Sequence, residues 1–133
     1  MTDGAPADIG FGRIAPTVAV TDIDRAIGFW CGVLGFDKVF ENGAPVGFAI
    51  VEHGPAELHL AWDPEHTATT QNVAHLLVRD ARAFHDVLQA NGTEVVSPIR
   101  DADYGMRTFV FVDADGNRFD VGEYLDVVGD DGR

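Results

Sequence analysis

The sequence predicts an α+β domain built from two βαβββ modules, and three observations predict it. The 133 residues fit one domain, since single cores run to roughly 100–200 residues before they split. Strand-like and helix-like signals follow one another in an order that occurs twice. The two occurrences superpose at a nearly constant spacing: Val20-Thr21-Asp22 falls on Val78-Arg79-Asp80 and Gly47 on Gly105 at an offset of 58, and Gly35 falls on Gly92 at 57.

In the first half, residues 13–20 form a β-branched run. Asp22 is placed to cap a helix whose apolar stripe is Ile23, Ile27, Trp30, Cys31 and Leu34, and Gly35 ends it. Three extended pieces follow at 36–41, 46–52 and 56–62, separated by the turn formers Asn42-Gly43 and Gly54-Pro55. The second half repeats the order. Residues 73–79 read as a strand, Asp80 as a cap, and Phe84, Val87 and Leu88 as an apolar stripe ending at Asn91-Gly92. Strands at 94–97, 106–112 and 118–124 complete it, the last preceded by the turn Asp113-Ala114-Asp115-Gly116-Asn117.

The modules therefore span 13–62 and 72–125 of one domain, 1–133. The polar, Thr-rich stretch 63–71 reads as the linker and as a hinge for arm exchange between subunits. Residues 1–12 and 128–133 have no periodicity and read as mobile ends. Neither half buries both faces of a four-stranded sheet alone. The sheets are thus expected to join into a concave mixed sheet with the helices outside, and the concave face is the expected ligand site.

Nine Lys and Arg against 22 Asp and Glu give a formal charge of −13. Such a chain repels phosphate backbones and anionic lipid and attracts cationic small molecules. Nucleic acid and membranes are not expected partners. The single Cys31 forms no internal disulfide and, beside Trp30, reads as a small buried hydrophobe. With no signal-peptide pattern and no apolar run near the roughly 20 residues of a membrane span, the expected location is the cytoplasm. Trp30, Phe48, Phe109 and Phe111 are expected in the core by their spacing. No Gly-x-Ser-x-Gly element and no phosphate-cradling glycine loop occurs.

Residues 13–125 resemble the glyoxalase, bleomycin-resistance and extradiol-dioxygenase superfamily. The resemblance is carried by Val20-Thr21-Asp22 leading into Ala26-Ile27-Gly28-Phe29-Trp30, by Leu34-Gly35-Phe36, by Tyr104-Gly105, by Phe111 and by the turn 113–117. It implies paired βαβββ modules and, in the family's enzymes, a divalent metal held by a His in the first strand and a carboxylate in the last strand of each half. The matching first-strand positions here are Ala15 and Val73, which have no electron pair to donate; the last-strand positions are Glu57 and Asp120. Two oxygen ligands of four do not make a tight divalent site, so no metal and no cofactor is expected. His59 and His75 alternate onto the faces of Glu57 and Val73 but stand about 6.5 Å farther along.

The opening Ala15-Pro16-Thr17-Val18 is similar to the metal-free, bleomycin-binding branch, and Tyr104-Gly105-Met106-Arg107 resembles that branch's Trp-Gly-x-Arg, with Tyr104 as the stacking aromatic. The resemblance implies non-catalytic sequestration of a planar, cationic molecule of bleomycin type, in a homodimer with clefts between subunits. Glu57 and Asp120 would supply negative potential, Tyr104 and Trp62 planar surfaces, and His59 and His75 hydrogen bonds, with Arg118 or Arg107 as internal cations. The competing reading is a metal-dependent lyase, isomerase or dioxygenase with Glu57 as general base.

Overall fold

In the computed structural model, which describes residues 8–102 and 104–125, each half of the chain folds in the same order. The first runs β1 (Thr17–Val20), α1 (Ile23–Ile27), β2 (Asp37–Asn42), β3 (Phe48–His53) and β4 (Ala56–Trp62). The second runs β5 (Asn72–Leu77), α2 (Ala81–Ala90), β6 (Glu94–Ala102), β7 (Met106–Val112) and β8 (Arg118–Tyr124). The sheets have matching strand orders, β1-β4-β3-β2 and β5-β8-β7-β6, with the first strand of each parallel to the last and the other pairs antiparallel. This is the α+β, twice-repeated βαβββ architecture that the spacing predicts. Residues 1–7 of the expected arm and the tail 128–133 lie outside the described residues.

Three details depart from the sequence reading. β1 begins at Thr17, because Pro16 lacks the N–H a ladder needs. β6 runs well past residue 97 and contains Pro98; it is an edge strand whose register slips between Val95, Ser97 and Arg100, where proline is tolerated. The first helix widens after Ile27 into a π-helical stretch, Gly28–Val33, seen in the Leu34 N–H donating to the Phe29 carbonyl at 3.1 Å.

Asp22 and Asp80 cap their helices identically, each accepting from the backbone N–H three residues on, Arg25 and Ala83, at 3.0 Å. Small and branched residues of alternate strand positions meet the helices: Val18 and Val20, Ala49 and Val51, Leu58 and Leu60, Phe109 and Phe111, Phe119 and Val121 are all buried. The modules share this core through Trp30, whose ring centroid lies 5.1 Å from Phe36 of its own module and 5.2 Å from Phe119 of the other.

The two sheets are not joined by a ladder, since β1 and β5 are both edge strands. Polar contacts from the turn 113–117 fasten them instead. The Thr21 N–H and hydroxyl donate to Asp115 at 2.8 and 2.6 Å, Arg25 donates to the same oxygen at 2.8 Å, and buried Asn117 donates to the Ala19 carbonyl at 2.9 Å. Asp113 organises the turn by accepting from the Asp115 and Asn117 N–H groups, and burial pushes its carboxyl above the ordinary value. The linker crosses the turn at Gly116, whose φ of +81° and closeness to Ala68 leave no room for a Cβ.

Candidate functional site

The face of each sheet away from its helix carries the polar groups. On the first, Glu57 and His59 stand two residues apart on β4, and alternation brings both to that face. The His59 Nε2 lies 2.6 Å from Glu57 Oε2, and the Arg13 guanidinium lies 3.1 Å from Oε1. The His59 hydrogen bond, helped by Arg13, holds the Glu57 carboxyl below its ordinary value against the opposing effect of burial. On the second sheet His75 and Asp120 are cross-strand neighbours in the β5–β8 register, with Nδ1 2.7 Å from Oδ2. Gly122 makes room beside them: a Cβ there would lie 2.9 Å from His75 Cε1 and would also strike the Met106 methyl.

These four side chains form two pairs and not one cluster. Neither carboxylate contacts the other, and the described residues contain no group of three or more His, Cys, Asp or Glu that could hold a metal ion. Within one chain the donor set does not fit the family's divalent centre: Ala15 and Val73 give no ligand, and each carboxylate has an imidazole partner.

The other sequence candidates lie elsewhere. Trp62 shares the covered face with Leu58 and Leu60, and its indole N–H donates to the Thr21 carbonyl at 3.1 Å. Arg107 alternates with Phe109 toward α2, donates to Asp101 at 2.8 Å and stands 3.8 Å from Glu123, which itself accepts from the Ala81 N–H at the start of α2. Asp101 holds the Arg107 guanidinium above its ordinary value, and Arg107 in turn lowers the Asp101 carboxyl. Tyr104 is exposed in the turn before β7. Arg118 follows the alternation of Asp120 but forms no ion pair among the described residues.

Sequence reasoning also missed residues. Phe48 was expected in the core, yet it lies on the open face, edge-on to His59 at 5.5 Å and 6.2 Å from Phe40. Glu52 stands directly opposite Glu57 across the β3–β4 pair, and Tyr124 shares the face of Asp120 and Gly122. The signal was available for Phe48: small, buried Ala49 and Val51 claim the helix side of β3, which leaves Phe48, Ile50 and Glu52 on the other.

A cavity of about 370 Å³ opens between the modules and is lined by Glu57 and His75 among others. A second, of about 500 Å³, lies between the first helix and the turn 113–115. Among the described residues no helix is long and apolar enough to cross a membrane.

The family model described as Glyoxalase/Bleomycin resistance protein/Dioxygenase superfamily matches residues 10–121. No curated protein matches the chain in sequence. Among solved structures, a member of the same superfamily from Sphaerobacter thermophilus is 26% identical with a TM-score of 0.70, covering 85% of this chain and 97% of its own. The bleomycin-binding protein of bleomycin-producing Streptomyces verticillus, solved with copper(II)-bleomycin, is 23% identical at a TM-score of 0.69, covering 90% of this chain and 100% of its own. The fosfomycin resistance protein FosX of Listeria monocytogenes is 14% identical at 0.69, covering 85% and 93%. The last two likenesses concern the fold.

Proposed function

This chain belongs to the Glyoxalase/Bleomycin resistance protein/Dioxygenase superfamily, and from that premise we propose that it captures a flat, cationic small molecule without chemical conversion. The observation that carries the reading is the pairing of Glu57 with His59 and of Asp120 with His75: the carboxylates at the family's ligand positions are held by imidazoles of the same module. Such pairs present negative charge and hydrogen-bond acceptors, and they lack the converging electrophile that would stabilise an enolate. Phe48, edge-on to His59, and Phe40 beside it supply planar surface on the sheet that carries Glu57 and Glu52, which suits a planar cation. Tyr124 and Tyr104 offer further exposed rings at the second module. A bleomycin-type antibiotic satisfies this chemistry, and the likeness to the Streptomyces protein supports it at the level of fold.

The proposed assembly is a homodimer. Phe11 and Ile14 are 85% and 94% exposed ahead of β1, and among the described residues β1 and β5 each have one unpaired edge. Isolated exposed hydrophobes are common, but two within four residues ahead of an open sheet edge fit cover by a second copy. Sedimentation of the protein beside Ile14→Glu checks this, a dimer converting to monomer being the expected result.

Titration calorimetry with metal-free bleomycin, paired with an elemental assay of the purified protein, tests the function. Tight binding without a stoichiometric divalent ion is expected. A tightly held ion, or no measurable heat with the drug, would overturn the reading.

A further inference from the structure

Glu57 belongs to β4 of the first module and His75 to β5 of the second, and they share no hydrogen bond, yet both line the cavity of about 370 Å³ between the modules. Its inner wall is aromatic, from Trp30, Phe36 and Phe119, of which Trp30 and Phe119 are almost fully buried. Its exposed rim carries Arg13, Glu57 and His75 beside the apolar Ile14 and Leu77. Apolar walls with a few converging polar groups, at a volume in the lower part of the roughly 300–1,000 Å³ range, describe a site for one small molecule.

The hydrogen-bond inventory at the mouth selects the ligand. Asp120 accepts from His75 Nδ1, so that nitrogen carries a hydrogen, and in the neutral form of the ring Nε2 presents a lone pair. Glu57 uses one oxygen for Arg13 and the other for His59, which leaves further lone pairs, since a carboxylate offers about four. Arg13 gives its Nε to Glu57 and an Nη1 hydrogen to the Pro55 carbonyl, and its charge is offset by the Glu57 carboxylate. The acceptors left open on Glu57 and His75 converge on the cavity and suit a donor-rich cation; an anion, bound only through the remaining Arg13 donors, would leave them unsatisfied. The formal charge of −13 acts in the same direction.

We propose that this cavity is a second, intrachain small-molecule site that takes a primary arylalkylamine, with the ring against Trp30, Phe36 and Phe119 and the ammonium donating to Glu57 and His75. A drug with several rings and a long tail does not fit inside it, so the cavity differs in volume from the open sheet faces while sharing Glu57 and His75 with them.

Trp30 and Trp62 are the two tryptophans of the chain, and Trp62→Phe leaves Trp30 as the sole indole. Titrating that protein with phenethylammonium is expected to change the Trp30 emission saturably. Phenylacetate, of similar shape and opposite charge, is expected to bind at least about tenfold more weakly. Ala74→Leu fills the cavity from β5 and should abolish the response, and His75→Gln, which leaves the aromatic interior intact, should weaken it about tenfold. An unchanged emission, equal binding of amine and acid, or a folded Ala74→Leu that responds like its parent overturns the proposal. Should Ala74→Leu fail to fold, the amine and acid comparison and His75→Gln decide alone. Calorimetry of metal-free bleomycin on the Ala74→Leu protein keeps the two readings apart, because open-face binding survives a filled cavity.

Discussion

In the first module Glu57 is held by His59 on its own strand and by the cation Arg13; in the second, Asp120 is held across two strands by His75 alone. Exposure follows the same division. The side chains of Glu57 and His59 are 18% and 24% exposed, those of Asp120 and His75 32% and 47%. A carboxylate drawn away from water needs a cation to offset desolvation, whereas a more solvated one manages with a neutral hydrogen bond. One repeated fold position thus yields an acid shared with a guanidinium in the first module and an acid paired with an imidazole in the second.

The largest test of how independent the modules are is Trp30→Ala. Trp30 grows from the first module but packs between Phe36 of that module and Phe119 and Phe111 of the second. Removing it should cost about 3–5 kcal/mol, the usual loss for a large buried aromatic. Urea denaturation measures this, and a cost under about 1 kcal/mol would mean that the polar clasp at Asp115 and Asn117 holds the modules by itself.

The next test breaks the comparison directly. Asp120→Asn is expected to weaken binding of a cationic planar probe about tenfold, or about 1.4 kcal/mol. Glu57→Gln should weaken it only about threefold, because Arg13 already offsets that charge. Calorimetric titration of both variants reads the order, and a larger loss at Glu57 would reverse the assignment of the two acids.

The pH dependence sharpens it further. The Glu57 carboxyl is held below its ordinary value of 4.5, first by His59 and then by Arg13. For a depressed carboxyl, the folded state's advantage is present above the unfolded value and is lost as pH falls through the folded one. The difference in probe affinity between the parent and Glu57→Gln should therefore stay constant from neutral pH down to 4.5 and shrink only below it. A difference that fades well above pH 4.5 would show that the His59 and Arg13 contacts do not hold the charge.

The fold was legible because its signals are local and occur twice: a capping Asp, an apolar helical stripe, and turns at fixed offsets. The two hydrogen-bonded pairs were legible in part: the family's spacing picks out Glu57 and Asp120, and strand alternation puts His59 on the face of Glu57 and His75 on that of Val73, while the pairing itself was not evident. What was not legible depends on partners distant in sequence. Arg107 reads as a site cation until Asp101 and Glu123 claim it from the covered face. Trp62 reads as a rim aromatic until its N–H finds the Thr21 carbonyl 41 residues away. Phe48 was misplaced for a different reason: an aromatic in an alternating strand looks like core by hydrophobicity, and only the smaller residues beside it reveal which face the helix covers.

The smallest effect compares the two caps. Asp22 and Asp80 accept at the same 3.0 Å distance from the N–H three residues on, so the caps alone predict equal losses of about 1 kcal/mol on replacement by Ala. The surroundings differ. At α2 the first N–H, that of Ala81, is also satisfied by Glu123 from β8, so part of the helix start survives without Asp80. At α1 the capped residue is Arg25, whose guanidinium also binds Asp115 of the second module, so fraying there loosens the clasp as well. Asp22→Ala should therefore lower the thermal midpoint more than Asp80→Ala, and Glu123→Ala combined with Asp80→Ala, which removes the acceptor for the Ala81 N–H, should narrow the gap. Equal midpoints for the two single variants would show that the first helix is anchored by its packing and that its link to Asp115 adds nothing to the cap.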